Sequence, residues 1–368
     1  MRKQYSTIII PALRSALFGY NVDTEVYQRL SAEEWLLLFR MAAQQGVLGI
    51  VYDVVSALPK ESQPPRSVNI QWAISTEAIE NRYEMQRKTS ALLAEMFAEQ
   101  GIKTIVMKGL AMGTYFPRPA HRECGDLDCF LMKNGGLPAS DGYELGNQIC
   151  EQIGAKVSRN YYKDSTIKYR GLLVENHRFF LPIRGSRKIK ALERHLEAIA
   201  LRGKTAFVPD TKLLVPSPDF NALFLTMHGL NHFLSEGIKL RHILDWALLL
   251  KAEQNNINWG EFYHWADKMH MTRFANALTA ISVKYFGLEI TNPQIVAESP
   301  YAERILEDTL FHSEGLYNKG YSAWVGRWKL IQNKMSYGWK YHKIYQRSLL
   351  WELAKSGFAF IFEKNPKL

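Results

Sequence analysis

Two aspartates separated by one residue are the side chains of this chain best suited to phosphate chemistry. Asp126 lies immediately before the segment 127–131 and Asp128 lies within it, and the apolar residues of this segment have the pattern of a β-strand. Successive side chains of a strand point to opposite faces, so both carboxylates lie on one face and repel each other unless a cation lies between them. Mg²⁺ prefers such oxygen ligands and completes its shell with water and substrate phosphates. The pair predicts a metal-assisted phosphoryl-transfer site, although on spacing alone a solvated pair at a sheet edge is the more frequent explanation.

The segment before the aspartates has the order strand, turn and helix. Residues 102–107 predict the first strand of a central domain, and Gly109 allows the backbone to turn sharply into a short helix over 110–116. Lys108 stands immediately before that turn. Its ammonium group could supply a point charge to phosphates.

A family resemblance adds to these observations. Its motif consists of Lys108-Gly109, Tyr115, Pro117, Arg122 and the segment Gly-Asp-Leu-Asp over 125–128. The motif resembles the uncharacterised nucleotidyltransferases, within the superfamily that includes DNA polymerase beta and kanamycin nucleotidyltransferase. The resemblance covers most of residues 95–250. It implies a nucleoside triphosphate such as ATP as substrate, and Mg²⁺ as the metal, with Mn²⁺ as the alternative ion.

The resemblance also implies roles for further residues of the central domain. Superfamily members commonly carry a third carboxylate on a neighbouring strand, and Glu175 matches that position within the predicted strand 172–180. This carboxylate can ligate the metal or act as a general base, whereas the structural alternative is a surface glutamate paired with an arginine. His177 lies on the same strand face. The family pattern also has an arginine just before the acidic pair, so Arg122 is expected to clamp phosphate.

The strand-to-helix turn departs from the superfamily pattern. In the superfamily the turn usually carries Gly-Ser or Gly-Gly, whose amides approach the phosphates, but here Leu110 follows Gly109. We still expect the Gly109 turn to admit the triphosphate. Arg118, in the loop 117–125, is interpreted as a solvated surface residue.

A later helical segment carries four polar residues at regular spacing. His228 and His232 fall at positions i and i+4, and Arg241 and Asp245 repeat that spacing. Two such histidines can bind Zn²⁺, but the glutamate of H-E-x-x-H is absent, so we expect no zinc. In the related family these positions recur where the helical part faces the catalytic sheet. They are expected to close the nucleotide or acceptor pocket, with Arg241 and Asp245 paired, and a satisfied buried network explains them equally well.

Composition sets the outer limits. The 368 residues suffice for two or three subdomains, and the net charge of +10 favours polyanionic partners such as nucleotides, nucleic acid or an anionic membrane surface. Three cysteines fit neither a disulfide framework nor a C-x-x-C metal pair, so we expect a reduced, cytoplasmic setting. No apolar stretch approaches the roughly 20 residues that cross a bilayer. We therefore expect no transmembrane segment.

Helices are predicted on both sides of the central domain. Ser31 and Glu34 have the pattern of a capping box, and a long helix over 67–100 is expected to end at Gly101. The fold class is α+β, a small mixed sheet with flanking helices. The expected domains are an N-terminal helical region over 1–100, a nucleotidyltransferase domain over 101–205 and a C-terminal helical region over 206–368.

The last part of the chain, 324–368, is basic and aromatic. Such a segment can stack on nucleic-acid bases or rest on an anionic membrane surface. A terminal helix that packs on the core while its lysines stay in water explains the same pattern and is the interpretation we favour.

Two functional hypotheses follow from the sequence. The first is a Mg²⁺-dependent enzyme that moves a nucleoside monophosphate from an NTP to a hydroxyl of a small molecule, a protein or an RNA end. The second is a non-catalytic regulatory protein that binds nucleotide or nucleic acid, which the altered Gly-Leu turn favours. Clustered carboxylates favour the enzyme, because they repel the ligand of a mere binding module. Because Asp126 and Asp128 repel each other, asparagine at either position is expected to keep or raise stability.

Overall fold

The structure is a computed structural model that describes residues 2–133, 139–159, 161–183, 186–203, 206–312 and 337–349. Five helices form the N-terminal part: α1 (Arg2–Phe18), α2 (Thr24–Gln28), α3 (Ala32–Gln44), α4 (Leu48–Val55) and α5 (Arg66–Glu99). The predicted capping box is confirmed, because Ser31 Oγ accepts from Glu34 N and Glu34 Oε2 accepts from Ser31 N. Gly101 follows α5 at φ 70°, a left-handed conformation that suits glycine.

The central part contains the strands and three helices. The strands are β1 (Ile102–Val106), β2 (Leu127–Lys133), β3 (Lys156–Ser158), β4 (Asp164–Tyr169), β5 (Leu172–His177), β6 (Ala206–Phe207) and β7 (Leu213–Val215). The helices are α6 (Leu110–Gly113), α7 (Ala139–Gln152) and α8 (Arg187–Ile199). The α+β class is confirmed, and the strands predicted over 156–162 and 172–180 are shorter than expected.

In the described residues, seven strands form one mixed sheet in the order β3-β4-β5-β2-β1-β7-β6. The central strand β2 pairs antiparallel with β1 and parallel with β5. In the parallel register Asp128 lies beside Glu175. Paired residues of neighbouring strands point to the same face, so this register brings the two carboxylates together.

The C-terminal part is helical. It comprises α9 (Pro218–Ser235), α10 (Leu240–Glu253), α11 (Trp259–Lys268), α12 (Thr272–Ile281) and α13 (Ala302–His312), with π-helical turns at Ser282–Phe286 and Lys340–Tyr345. None of the helices in the described residues combines the length and the hydrophobicity that a membrane-spanning helix needs.

The N-terminal and C-terminal helices share one hydrophobic core. Buried side chains from α1, α3 and α4 belong to the same cluster as those of α9 to α13, whereas a second cluster lies against the sheet with α5 and α7. Gln45, after α3, donates to the carbonyl of Thr309 on α13 at 2.9 Å. The sheet also includes β6 and β7, which lie beyond the boundary predicted at 205, and the N-terminal and C-terminal helices pack in one core. The division into three domains stays a prediction.

The described part of the basic aromatic tail, 337–349, packs on the protein. Tyr341 donates to the carbonyl of Leu234 at 3.4 Å, and Arg273 of α12 donates to the carbonyl of Lys343 at 2.8 Å. The packing agrees with the interpretation favoured from the sequence, but Lys340 does not stay in water, because it is fully buried and pairs with Asp308 of α13. The rest of the tail predicted over 324–368 lies outside the described residues.

A buried glutamate fixes the chain where it leaves β5. Glu193 of α8 is 3% exposed, and its carboxylate accepts from Phe180 N at 2.7 Å and from Leu181 N at 2.8 Å. Burial raises the pKa of Glu193 to about 7, although the two backbone donors favour the charged form. A folded-state pKa above the ordinary value means that the folded protein binds the proton more tightly than the unfolded chain.

We therefore expect Glu193 to make stability pH-dependent. Its contribution is fully present below the ordinary glutamate pKa of about 4.5 and is lost as the pH rises through about 7. Between pH 5.5 and pH 8 the loss is on the order of 2 kcal/mol. Thermal melts should show a fall in Tm over this range that is smaller in Glu193→Gln, whose Tm is lower overall because one backbone N–H loses its acceptor. An equal fall in both proteins would contradict this role.

Candidate functional site

An ionic cluster lies where β2 and β5 run side by side. Lys108 Nζ is 3.0 Å from Asp128 Oδ2, and His177 Nε2 is 3.2 Å from Asp128 Oδ1. The same His177 nitrogen is 3.5 Å from Glu175 Oε2. Asp128 is 4% exposed and His177 is 3% exposed. Both oxygens of Asp128 thus face a basic group inside the protein.

The two aspartates have opposite electrostatic properties. Burial alone would raise the pKa of Asp128, but Lys108 and His177 outweigh it and hold that pKa well below its usual range. Burial raises the pKa of Asp126, and the charge of Asp128 raises it further. Asp128 is therefore held as a carboxylate. Asp126 is the carboxyl that gains most from an added cation.

The two groups on β5 also influence each other. The hydrogen bond to His177 lowers the pKa of Glu175. Burial opposes the charged form of His177, but hydrogen bonds to Asp128 and Glu175 raise its pKa overall. The imidazole therefore lies between two carboxylates that favour its protonated form.

The compact group of ligand atoms differs from the predicted trio. Among the described residues, three atoms able to hold a metal come within 4.8 Å of one another in Asp128, Glu175 and His177. Asp126 lies outside this compact group. The sequence placed His177 on the same strand face as Glu175 but assigned it no role. The alternation of side chains along the strand was the feature that could have identified His177, because residues two apart on a strand project to the same face.

Gly109 shapes the turn that presents Lys108. Its backbone has φ 50°, and a Cβ atom at this position would lie 2.6 Å from Cys124 Sγ. Leu110, the residue that departs from the superfamily pattern, is 1% exposed and belongs to the apolar cluster against the sheet. Its side chain therefore packs in the core, and Gly109, not Leu110, lines the cavity.

The loop 117–125 is anchored to the N-terminal helices. His121 contacts Asp53 of α4 at 3.0 Å and Glu80 of α5 at 2.8 Å. Arg118 is largely exposed and pairs with Asp53, in agreement with a surface position. These contacts fix the loop and hence the position of Arg122.

Arg122 forms a buried two-pronged ion pair with Asp245 of α10. The distances are 3.0 Å from Nε to Oδ1 and 2.6 Å from Nη2 to Oδ2, while Nη1 donates to the carbonyl of Glu123 at 3.2 Å. The predicted pairing of Arg241 with Asp245 is therefore wrong. Helical spacing permits that contact, but the guanidinium of the loop meets the carboxylate with two parallel hydrogen bonds, which is the stronger geometry. Arg241 instead donates to the carbonyl of Glu123 at 2.8 Å.

Three histidines line the helical side. The ring centroids of His228 and His232 are 4.3 Å apart, and those of His232 and His242 are 5.6 Å apart. Burial holds the pKa values of His228 and His242 well below the usual range, so both rings are neutral. The Nδ1 atom of His242 accepts from Lys239 N at 2.9 Å. The sequence missed His242, because no spacing on α9 reveals which residue of α10 faces it.

One cavity of about 1210 Å³ connects these groups. Its lining includes all ten residues singled out from the sequence, namely Lys108, Gly109, Arg122, Asp126, Asp128, Glu175, His228, His232, Arg241 and Asp245. The cavity is larger than the range of about 300 to 1,000 Å³ that is usual for one small ligand. It has room for a nucleotide and a second molecule.

Comparison with known proteins identifies one family. The family described as uncharacterised nucleotidyltransferase matches residues 31–287, which is more than half of the chain. No curated protein and no solved structure matches the chain.

The opposite properties of the two aspartates predict opposite effects of substitution. Asp128→Asn leaves Lys108 and His177 without their shared carboxylate, and loss of one member of a buried pair costs on the order of 3 kcal/mol. The Tm should therefore fall, which corrects the expectation from repulsion alone. Asp126→Asn, the matched control, should keep or raise the Tm because it removes a like charge. Equal melts for the two variants would show that the ion pairs of Asp128 do not stabilise the fold.

Proposed function

Because the chain belongs to the family of uncharacterised nucleotidyltransferases, we propose that it transfers a nucleoside monophosphate from an NTP to an acceptor hydroxyl. The acceptor oxygen forms a bond to the α-phosphorus, the bond from that phosphorus to the bridging oxygen breaks, and pyrophosphate leaves. The observation that carries the proposal is the close approach of Asp128 and Glu175, in a cavity that Asp126 and basic side chains also line.

The donor set fits a divalent cation. Asp128 and Glu175 supply hard oxygen atoms from two adjacent strands, and Asp126 supplies them from the position just before β2. Burial and the charge of Asp128 raise the pKa of Asp126, and a cation would favour its carboxylate form. Mg²⁺ held by these three residues would neutralise charge on the phosphates, and Mn²⁺ accepts the same ligands. His177 orients Asp128 and Glu175 through its hydrogen bonds.

The remaining residues bind and position the substrates in this proposal. Lys108 contacts a phosphate oxygen from the Gly109 turn, whose open conformation admits the triphosphate. Glu175 is half-buried, and it takes the proton of the acceptor hydroxyl only if Asp126 and Asp128 hold the metal without it, because a carboxylate bound to a cation is a poor base.

The helical wall closes the pocket. His228, His232, Arg241 and Asp245 line the side of the cavity formed by α9 and α10. Arg122 supports this wall through its pair with Asp245. Each guanidinium nitrogen of Arg122 already donates to a protein acceptor, so a contact of Arg122 with phosphate would compete with this pair.

The alternative is a non-catalytic protein that binds nucleotide or nucleic acid. The altered Gly-Leu turn was its main support, and the buried position of Leu110 weakens that support. Three carboxylates in one cavity favour catalysis, since they repel a bound anion that has no metal. A small molecule or a protein is the acceptor class that we favour.

We expect Mg²⁺-dependent NTP binding that weakens in Asp126→Asn and Asp128→Asn, because each substitution removes a charge from the proposed metal site. Transfer should fall by orders of magnitude, since positioning and charge neutralisation carry most of phosphoryl-transfer catalysis. Glu175→Gln should impair transfer more than binding if it accepts the proton. Calorimetric titration with NTP, with and without Mg²⁺, and mass analysis of candidate acceptors measure these effects.

The matched control is Lys156→Gln, an exposed charge change on the edge strand β3. It should leave both binding and transfer unchanged. Unchanged Mg²⁺-dependent binding in both aspartate variants would refute the carboxylate site.

A further inference from the structure

The cavity has a second charged region besides the carboxylates. Arg40 of α3 lines it together with Lys239 and Arg241, at the start of α10. We call these three residues the basic end. Among the described residues, none of the three takes part in an ion pair, whereas Lys108 and Arg122 each have a carboxylate partner.

Arg241 has donor capacity that the protein does not use. One guanidinium nitrogen, Nη1, donates to the carbonyl of Glu123, but its Nε is buried and has no hydrogen-bond partner in the described residues. Gly46 lies against this side chain, since a Cβ at Gly46 would be 3.5 Å from Arg241 Cδ. A buried donor without a partner is costly unless a ligand accepts from it.

The acidic groups near the basic end are already engaged. Asp245 forms an ion pair with Arg122, and Glu236 contacts His232. Glu123 accepts from Leu48 N at 3.4 Å, and burial raises the pKa of its carboxyl group. Among the described residues, these carboxylates favour the charged forms of Lys239 and Arg241, but none of them forms an ion pair with either residue.

The cations of this part of the cavity also repel one another. Burial lowers the pKa of Arg241, and the neighbouring Arg122 lowers it further. Burial likewise lowers the pKa of Lys239, and Arg241 adds to the effect. A bound anion would relieve this repulsion.

The basic and acidic groups of the cavity come from different elements. Lys239 and Arg241 stand at the start of α10, with Arg241 against Gly46, whereas Asp128 and Glu175 stand on β2 and β5. His228, His232 and His242 line the same cavity, with ring centroids 4.3 to 6.4 Å apart.

We propose that the basic end binds an anionic group, phosphate or carboxylate, of a small acceptor whose hydroxyl reaches the acidic cluster. This inference rests on the proposed function, and it assigns Arg40, Lys239 and Arg241 to the acceptor side of the cavity. The acceptor is thereby a hydroxyl compound that carries its own negative charge.

The test uses inorganic phosphate and acetate as probes. Each is titrated by calorimetry into the full-length protein, first alone and then saturated with Mg²⁺ and an α,β-methylene NTP, which resists transfer. We expect at least one of the two anions to bind under both conditions. The anion that binds more tightly, phosphate or acetate, identifies the anionic group. Lys239→Gln and Arg40→Gln should each weaken binding of that anion roughly tenfold and leave the nucleotide affinity unchanged. The Lys156→Gln control should change neither the anion affinity nor the nucleotide affinity.

Arg241→Gln should weaken the anion at least as much, and a thermal melt verifies that each variant is folded. Competition between the anion and the nucleotide would overturn the inference, because the basic end would then hold the triphosphate. Anion binding that is absent, or equal in wild type and all variants, would also overturn it. A wild-type protein that binds no nucleotide would instead refute the proposed function. The two failures are thus distinguishable.

Discussion

The parallel pairing of β2 with β5 is the constraint on which the proposed site depends. Its register places Asp128 beside Glu175, and the alternation of β5 adds His177 to the same face. A shift of one residue would turn all these side chains to the opposite face of the sheet. Because Asp128 is almost fully buried, its charge is stable only with Lys108 and His177 close by. The strand register and the ionic cluster therefore support each other.

The helical regions position the other wall of the cavity through a few polar contacts. The pair of Arg122 with Asp245 connects the loop before β2 to α10, and Gln45 connects α3 to both α10 and α13. These contacts lie within a body whose N-terminal and C-terminal helices share a core. The cavity is thus bounded by three parts of the chain that are distant in sequence, and its acidic and basic ends come from different parts.

The sequence predicted the features that depend on local pattern. Alternation over 126–131 and 172–177 indicated the two carboxylate strands, and the capping box of Ser31 is present. It could not predict features that depend on packing between distant elements. The partner of Asp245 is one example, since spacing suggested Arg241 and the folded loop supplied Arg122. The stabilising role of Asp128 is another, because the repulsion visible in the sequence is outweighed by cations that only the fold brings near.

The central claim is that the carboxylates of β2 and β5 hold a divalent cation against a nucleoside triphosphate. The most direct measurement is anomalous diffraction from crystals grown with Mn²⁺ and an α,β-methylene NTP, since Mn²⁺ accepts the same ligands as Mg²⁺ and gives its own signal. The account predicts an anomalous peak beside Asp128 and Glu175, in contact with the phosphates. Nucleotide bound in the cavity with no metal at these carboxylates, or metal and nucleotide bound elsewhere, would contradict it.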